Sequence, residues 1–406
     1  MPVFEKKTNT LVSYVRTLPY FLLSGIIAML FAPKRNRIVF CSNSGEGLTG
    51  NAKFLFEYMR KDARYECHYL FRDPRVYEHY KKSYSEAIYA YSWRGLWLAA
   101  RARIFVVTHS RLDVPVSLLR KVCIQTWHGI PIKPLGFLKH GTLRKRIRNH
   151  VYKWIDYDLP NYYLSSSRYV SQLLAGTFRQ PLEKFVEAGF PRDDALIHGD
   201  RAGIRKKVVR SLGLDESAKL ILYAPTWRDY AFEYFGFPHY APQQVAEFHA
   251  TLLANNAYLL LKSHRNGPLQ LPGELKSERL IDMDLGVVDD VQELLLASDY
   301  LITDYSSICL DGLILNLPML FIVSDRERYE NRTGPFCCDY ELMATGPKVS
   351  TLDGFNLELK KILSGDDAYG AQRDFVSGLL RSPQGELSCP RVTRFIDTLL
   401  GGRSDK

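Results

Sequence analysis

Residues 300–315, YLITDYSSICLDGLIL, form one strand–turn–helix unit. The apolar run 300–303 is typical of a short buried strand, and the spacing of apolar residues in 308–315 predicts a helix. The polar turn DYSS joins the two. Similar units recur along the chain, and strands that alternate with helices predict an α/β fold with parallel sheets.

The recurrence divides the 406 residues into two doubly wound, Rossmann-like halves that meet near residue 200. We expect an apolar and basic segment over 1–36, an N-terminal domain over 37–200 and a C-terminal domain over 201–406. Open α/β sheets bind ligands at the carboxyl ends of their strands, where the unusual polar stretches of this chain lie. Two such halves facing each other would form a ligand-binding cleft.

Residues 17–33, TLPYFLLSGIIAMLFAP, carry no charge and are flanked by basic residues. The run is at the short limit for a bilayer span of about 20 residues. We therefore expect a helix that lies in the membrane interface, held by its basic flanks. A true span and a buried core helix remain alternatives. The flanking basic residues are Arg16, Lys34, Arg35 and Arg37.

The overall composition restricts the classes of partner. A net charge of +10 suits nucleic acid, anionic lipid or a phosphorylated substrate without choosing among them. The seven cysteines are scattered, odd in number and without a C-x-x-C pair. This pattern indicates reduced thiols in the cytoplasm and argues against a zinc site.

The turn DYSS offers groups that bind phosphate. Ser306 and Ser307 open a predicted helix, where free backbone N–H groups and hydroxyls can hold an anion. The alternative is that a serine caps the helix and that Asp304 is a structural turn residue.

Two further strand ends lie in the second half. In PTWRD, Thr226 precedes Arg228, which could clamp a phosphate or form an ion pair with Asp229. In LLLKSHR, His264 lies between basic residues and could donate to a phosphate oxygen, or be an ordinary loop histidine.

The first half contains the stretch QTWHGIPIKPLG. Histidine is a natural general base at neutral pH, and Gly129 permits close approach of a ligand to His128. Lys133 offers positive charge nearby, and His109 follows another strand of the same half. The alternative for His128 is a turn histidine bonded to the backbone. The stretch GEGLTG, at 45–50, matches a dinucleotide fingerprint, but another anionic ligand or a tight turn explains it equally.

Five ordered stretches resemble the CDP-glycerol glycerophosphotransferase family over roughly 38–347. They are QTWHGIPIKPLG, AGFPRDD, YAPTWRD, LLLKSHR and DYLITDYSSICLDGLILNLPMLFIVSDRERYENRTGPFCCDY. The resemblance implies a GT-B fold, a CDP-alcohol donor on the C-terminal half, and no cofactor or metal requirement. This sequence departs from the family pattern in one place: Arg265 follows His264, where the family frequently has a proline.

The resemblance also implies residue roles. His128 would be the base, and His264 would join it at the catalytic centre beside the donor phosphates. Lys133 and His109 would contact the acceptor or a phosphate. The implied donor-binding residues are Thr226, Arg228, Arg265, Asp304, Ser306, Ser307, Gly189, Pro191 and Arg192.

The implied reaction transfers glycerol phosphate, or a related polyol phosphate, to a hydroxyl of a polyprenyl-diphosphate-linked saccharide and releases CMP. We expect a peripheral enzyme at the cytoplasmic face of the cell membrane, in teichoic acid or capsule-type synthesis. The expected partners are the donor, the acceptor and an anionic membrane surface, without nucleic acid; the oligomeric state is open. The alternatives are a GT-B glycosyltransferase that uses a CMP-activated or other nucleotide-activated sugar, and a basic binding protein.

Overall fold

The computed structural model describes residues 10–109, 114–117, 119–133, 158–228, 237, 240–262, 273–283, 291–381 and 386–401. Backbone contacts divide them into two compact units. The N-terminal unit comprises the described residues up to 129, residues 158–194, and those from 381 onward. The C-terminal unit comprises residues 130–133 and the described part of 195–380.

The N-terminal unit is built on a parallel sheet in the order β3-β2-β1-β4-β5-β6-β7. The strand order reverses direction between β1 and β4, as in a doubly wound fold. Most strand residues are buried and apolar because helices cover both faces of such a sheet. The strands are β1 Arg37–Cys41, β2 Glu66–Phe71, β3 Ala87–Tyr89, β4 Ile104–Val107, β5 Val122–Gln125, β6 Tyr162–Ser165 and β7 Phe185–Glu187.

The C-terminal unit repeats the plan with the order β10-β9-β8-β11-β12-β13, again parallel. The strand order of this sheet reverses between β8 and β11. The sequence predicted its four central strands, and missed the short edge strands β10 and β13. The strands are β8 Lys219–Tyr223, β9 Ala257–Leu261, β10 Leu280–Asp282, β11 Tyr300–Thr303, β12 Met319–Ile322 and β13 Lys348–Val349. The expectation of two doubly wound α/β sheets is confirmed.

The described helices follow in chain order. They are α1 Thr10–Leu30, α2 Gly50–Met59, α3 Pro74–Tyr80, α4 Trp93–Ala100, α5 Arg168–Phe178, α6 Asp193–His198, α7 Arg201–Ser211, α8 Pro242–Ala254, α9 Val291–Ala297, α10 Ile308–Gly312, α11 Arg326–Thr333, α12 Tyr340–Met343, α13 Leu352–Leu363, α14 Gly370–Leu380 and α15 Ser388–Leu399. Single 3₁₀ turns lie at Asn43–Gly45, Leu182–Lys184, Gly273–Leu275 and Leu313–Leu315.

Helix α15 corrects the predicted division of the chain, which placed everything from 201 to 406 in one C-terminal domain. It packs in the N-terminal unit, because the Asp194 carboxylate accepts hydrogen bonds from the N–H groups of Ser388 and Cys389, both 2.7 Å long. Tyr65 also donates to Asp397 at 2.5 Å. The order of elements alone does not reveal that a distant carboxylate binds the start of this helix.

Helix α1 has one face in the N-terminal unit and one exposed face. Its Ser24 and Ala28 are fully buried, and Tyr20 donates to the Tyr91 carbonyl at 2.9 Å. No helix among the described residues is long and apolar enough to cross a membrane. The predicted basic flanks also behave differently from expectation, because Lys34 pairs with Glu66 and Arg35 donates to backbone carbonyls near the end of α15.

Candidate active site

The carboxyl ends of β4 and β5 bring two histidines together in the N-terminal unit. His109 follows β4 and His128 follows β5, its direct neighbour in the sheet. Their rings stack with centroids 4.7 Å apart and planes 6° from parallel. The sequence predicted both residues for this end of the sheet, and the structure places them in contact.

The turn that carries His128 has an unusual backbone. Trp127 adopts a left-handed conformation with φ 54°, and Gly129 has φ 128°, which only glycine adopts readily. The Gln125 side-chain oxygen accepts from the Trp127 N–H at 3.2 Å, and the Thr126 hydroxyl donates to the carbonyl of Val107 at 3.1 Å. Side-chain bonds therefore add to the last ladder bond, from the Thr126 N–H to the Val107 carbonyl at 2.8 Å, in holding this turn.

His128 is exposed, but the surrounding protein makes its protonation unfavourable. Desolvation is the largest cause, followed by the charges of His109 and Arg192, and together they lower the pKa of His128 to about 3. A hydrogen bond with the Thr108 backbone opposes the shift. One ring nitrogen is thus engaged, which leaves a neutral imidazole whose other nitrogen can accept a proton.

The C-terminal unit has a buried charged network at its own strand ends. Arg228, after β8, pairs with Asp304, after β11, and with Asp325, after β12; its Nη2 lies 2.9 Å from Asp325 Oδ1. The Arg228 side chain is only 1% exposed. Burial would lower its pKa, but the negative charges of Asp304 and Asp325 outweigh that effect and raise it.

The same network ties the backbone of PTWRD to DYSS. Asp304 accepts from the Thr226 N–H at 2.9 Å, and Arg228 donates to the Thr226 carbonyl at 2.7 Å. The side-chain hydroxyl of Thr226 is buried and has no hydrogen-bond partner among the described residues. The two loops thus meet where the strand order of this sheet reverses, the usual ligand position in such folds.

Comparisons with known proteins identify the family of the chain. The model of the family described as CDP-Glycerol:Poly(glycerophosphate) glycerophosphotransferase matches residues 26–397. The chain belongs to this family. The resemblance drawn from the five sequence stretches is confirmed, and the chain is accordingly a glycerophosphotransferase-type enzyme.

The family relatives include enzymes of teichoic acid synthesis. A teichoic acid poly(glycerol phosphate) polymerase of Bacillus spizizenii is 31% identical over 344 residues, covering 82% of this chain and 85% of its own. A teichoic acid glycerol-phosphate transferase of Staphylococcus aureus is 26% identical, with 81% and 85% covered. These relatives support transfer of glycerol phosphate from CDP-glycerol in teichoic acid synthesis. Against a Bacillus subtilis polymerase, 30% identical over 82% of this chain, the match spans only 45% of the relative.

Solved structures agree on the fold. The wall teichoic acid polymerase TagF superimposes with a TM-score of 0.75 at 24% identity, covering 98% of this chain and 99% of its own. A TagF variant soaked with CDPG gives a TM-score of 0.73 at 24% identity over the same shares. The likeness extends over both units, so the GT-B-type fold implied by the family is supported.

The structure gives Arg228 a different task from the predicted phosphate clamp. A guanidinium suits bidentate phosphate binding, but here four of its contacts are made with two carboxylates and a backbone carbonyl. The alternative of an ion pair had been expected with Asp229, which lies outside the described residues. Asp325 was not among the candidates, although it follows β12 as the other polar residues follow their strands.

The helix after DYSS is shorter than expected. The helix α10 has five residues and continues only as a 3₁₀ turn, so its dipole is weaker than that of a full helix. Ser307 makes no capping bond with its side chain, while the Ser306 hydroxyl accepts from the Ile308 N–H at the long distance of 3.5 Å. Both serines are half-buried. Neither hydroxyl is strongly committed to capping, so a role toward a ligand stays a prediction.

The stretch AGFPRDD lies in the N-terminal unit with His128, not with DYSS. Gly189 has φ 85° and its added Cβ would meet Ser388, so the fold itself requires glycine there. Pro191 is buried, and the Arg192 guanidinium lies against Gly129. The expected donor-binding role of these three residues stays a prediction.

The remaining candidates fall in different places. Lys133 belongs to the C-terminal unit, where its carbonyl and that of Pro131 accept from the Cys337 thiol at 3.3 and 3.0 Å. His264 and Arg265 lie outside the described residues. The GEGLTG stretch forms a tight turn, in which a Cβ on Gly45 would come within 2.7 Å of the Arg72 backbone nitrogen.

Proposed function

We propose that the chain transfers glycerol phosphate, or a related polyol phosphate, from a CDP-alcohol to a hydroxyl of a membrane-lipid-linked saccharide, and releases CMP. The attacking acceptor oxygen forms a bond to the phosphorus that carries the alcohol. The bond from that phosphorus to the bridging oxygen breaks, and CMP leaves with the electron pair. The acceptor proton goes to His128.

The observation that carries the proposal is the neutral, exposed imidazole of His128 at the end of β5. A general base must be reachable, and the His128 side chain is exposed; its lowered pKa keeps the ring unprotonated but also makes it a weaker base than an ordinary histidine. The stacked ring of His109 and the guanidinium of Arg192 disfavour its protonation before the acceptor arrives. His109 and Arg192 would also put a polar ring and a positive charge near the acceptor oxygen as it loses its proton.

The donor side rests on the C-terminal unit. Ser306, Ser307 and the hydroxyl of Thr226 would contact the diphosphate; His264 and Arg265, which lie outside the described residues, keep the roles predicted from the sequence. Asp304 and Arg228 hold the two loops at a fixed geometry, because charged groups without free donors or acceptors act as supports. In keeping with the family, the electrostatic work falls to side chains and no metal is required.

Membrane association would come from the exposed face of α1. Leu22 is 58% exposed, Met29 66% and Leu30 72%, so large apolar side chains point away from the unit. An apolar stripe on an otherwise docked helix suits insertion into the membrane interface. Lys34 and Arg35 make contacts within the protein, so we propose that the apolar face of α1 makes the main contact with the membrane. The location that we propose is peripheral, at the cytoplasmic face of the cell membrane.

The test of the reaction is product analysis. The full chain is incubated in EDTA with CDP-glycerol and a synthetic lipid-linked disaccharide, and CMP and the lipid product are measured. We expect acceptor-dependent CMP release and a new phosphodiester that carries glycerol. Parallel reactions with CDP-ribitol and a CMP-activated sugar serve as competitors. A glycosidic product from the sugar nucleotide alone would overturn the proposal in favour of a glycosyltransferase, and loss of rate in EDTA would overturn its metal independence.

The membrane contact is tested separately by flotation with vesicles. Leu22→Ser combined with Met29→Ser removes apolar area from the exposed face, so we expect weaker binding to neutral and anionic vesicles alike, with unchanged melting temperature. Leu253→Ser, a 65% exposed leucine on α8, is the matched control. Equal flotation of the double variant and wild type would contradict the role of α1.

A further inference from the structure

A buried asparagine joins three stretches of the N-terminal unit. Asn51 is the second residue of α2 and is fully buried. Its amide nitrogen donates to the carbonyls of Thr126 and Trp127, each at 3.0 Å. Its side-chain oxygen accepts from the Arg192 N–H at 3.1 Å. Both donors and the acceptor of one side chain are therefore used.

These three contacts hold backbone groups of the turn that carries His128, the proposed base, and of Arg192 beside it. The two carbonyls belong to the residues directly before His128, in the turn where Trp127 has φ 54°. The third contact holds the backbone N–H of Arg192. The guanidinium of Arg192 reaches Gly129, the residue directly after His128. A neutral amide can do this without adding charge, so it leaves the imidazole unprotonated.

We infer that Asn51 is a positioning residue for the transfer reaction, which holds the His128 turn and the Arg192 backbone in one geometry. The inference rests on the proposed role of His128 as base. Asn51 acts through the backbone of the turn and of Arg192, which is itself a predicted donor-binding residue. In the sequence, Asn51 directly follows GEGLTG, a stretch to which the proposed function assigns no role.

Loss of the amide should lower the rate of the chemical step. A turn that shifts by a fraction of an ångström moves the base relative to the acceptor oxygen, and such shifts cost about 10- to 100-fold in rate. We expect Asn51→Ala to lower kcat by about this factor. The KM for CDP-glycerol should change little, because the expected donor hydroxyls lie in the C-terminal unit.

Asn51→Asp provides a second variant that is nearly identical in shape. It keeps an acceptor for the Arg192 N–H, removes both donors and turns a buried carboxylate oxygen toward two carbonyls, so its melting temperature is recorded beside kcat. A matching fall in kcat would assign the effect to the two carbonyl contacts. Asn356→Ala is the control, because Asn356 is equally buried and donates to the Gln244 carbonyl at 2.9 Å, in a region with no candidate site residue.

A double variant separates positioning from general support of the fold. If Asn51 acts through His128, adding Asn51→Ala to His128→Ala should lower the residual rate no further, because coupled groups are not additive. Multiplied effects would overturn the inference, as would full kcat in either folded Asn51 variant while His128→Ala is inactive. If His128→Ala is itself fully active, the proposed base fails and the inference fails with it. Should Asn51→Ala not fold, Asn51→Asp decides the question by the same criteria.

Discussion

The two units place polar residues at the same structural position and use them in opposite ways. At the end of β5, His128 is exposed, neutral and held by uncharged amides and hydroxyls. At the ends of β8, β11 and β12, Arg228, Asp304 and Asp325 are buried and paired with each other. Position at a strand end therefore predicts a site, but burial decides whether a residue reacts or supports.

The difference has a physical basis. A base must accept a proton during the reaction, so its ring must be reachable by the acceptor. A support must not change at all, and a buried ion pair with all its donors engaged is costly to disturb. The comparison predicts that variants in the first region alter rate and variants in the second alter stability.

The largest expected effect is on stability, at Arg228. Arg228→Met leaves Asp304 and Asp325 buried without their partner, which costs about 3–5 kcal/mol of unfolding free energy. Denaturant unfolding would measure the loss. The control is Arg326→Met, because Arg326 forms ion pairs at 38% side-chain exposure and should contribute at most about 1 kcal/mol. Equal losses for the two variants would break the distinction between buried support and surface pairing.

The next effect is expected at Gly129. Gly129→Ala places a Cβ within 2.7 Å of Arg192 Nη2 at φ 128°, so the turn must distort at a cost of about 1–3 kcal/mol. We expect kcat to fall about 10-fold or more, with a modest loss of melting temperature. Gly213→Ala is the control, since Gly213 has φ 67° with open space around it. A stability loss without any change in kcat would contradict the link between this turn and catalysis.

The smallest effect is in the pH dependence. Because the pKa of His128 is lowered to about 3, the base stays unprotonated through the range where an ordinary histidine titrates, near 6.5. We expect kcat/KM to show no acid limb near pH 6.5 when measured from pH 8 to pH 5. The unfolded chain takes up a proton on this residue that the folded chain refuses, so stability should fall as the pH drops from 6.5 towards 3. An acid limb centred near 6.5 would show that His128 is protonated normally in the free enzyme.

Much of the fold follows from the sequence. Strands such as 300–303 and 122–126 are short apolar runs followed by polar turns, and the sheet order then follows from doubly wound topology. The edge strands β10 and β13 were not predicted, because runs of three and two residues are too short to show a hydrophobic period. The position of α15 escaped because it depends on the contact of Asp194 with a helix start almost 200 residues away.

The candidate site was predictable in position more than in role. His109 and His128 were expected at one sheet edge, and adjacent strands brought them into contact. For Arg228 the sequence left a phosphate clamp and an ion pair open, because both use the same guanidinium and only burial separates them. Asn51 and Asp325 were not among the candidates: Asn51 directly follows GEGLTG and Asp325 follows a strand, but their partners lie far away in the sequence.

The most direct test of the account compares wild type with His128→Ala for acceptor-dependent CMP release from CDP-glycerol, with melting temperatures recorded for both. We expect the variant to keep its fold and lose about 10²- to 10⁴-fold in kcat, the usual contribution of a general base. Unchanged CMP release by a folded His128→Ala enzyme would contradict the central claim and leave His109 as the remaining histidine at this sheet edge among the described residues.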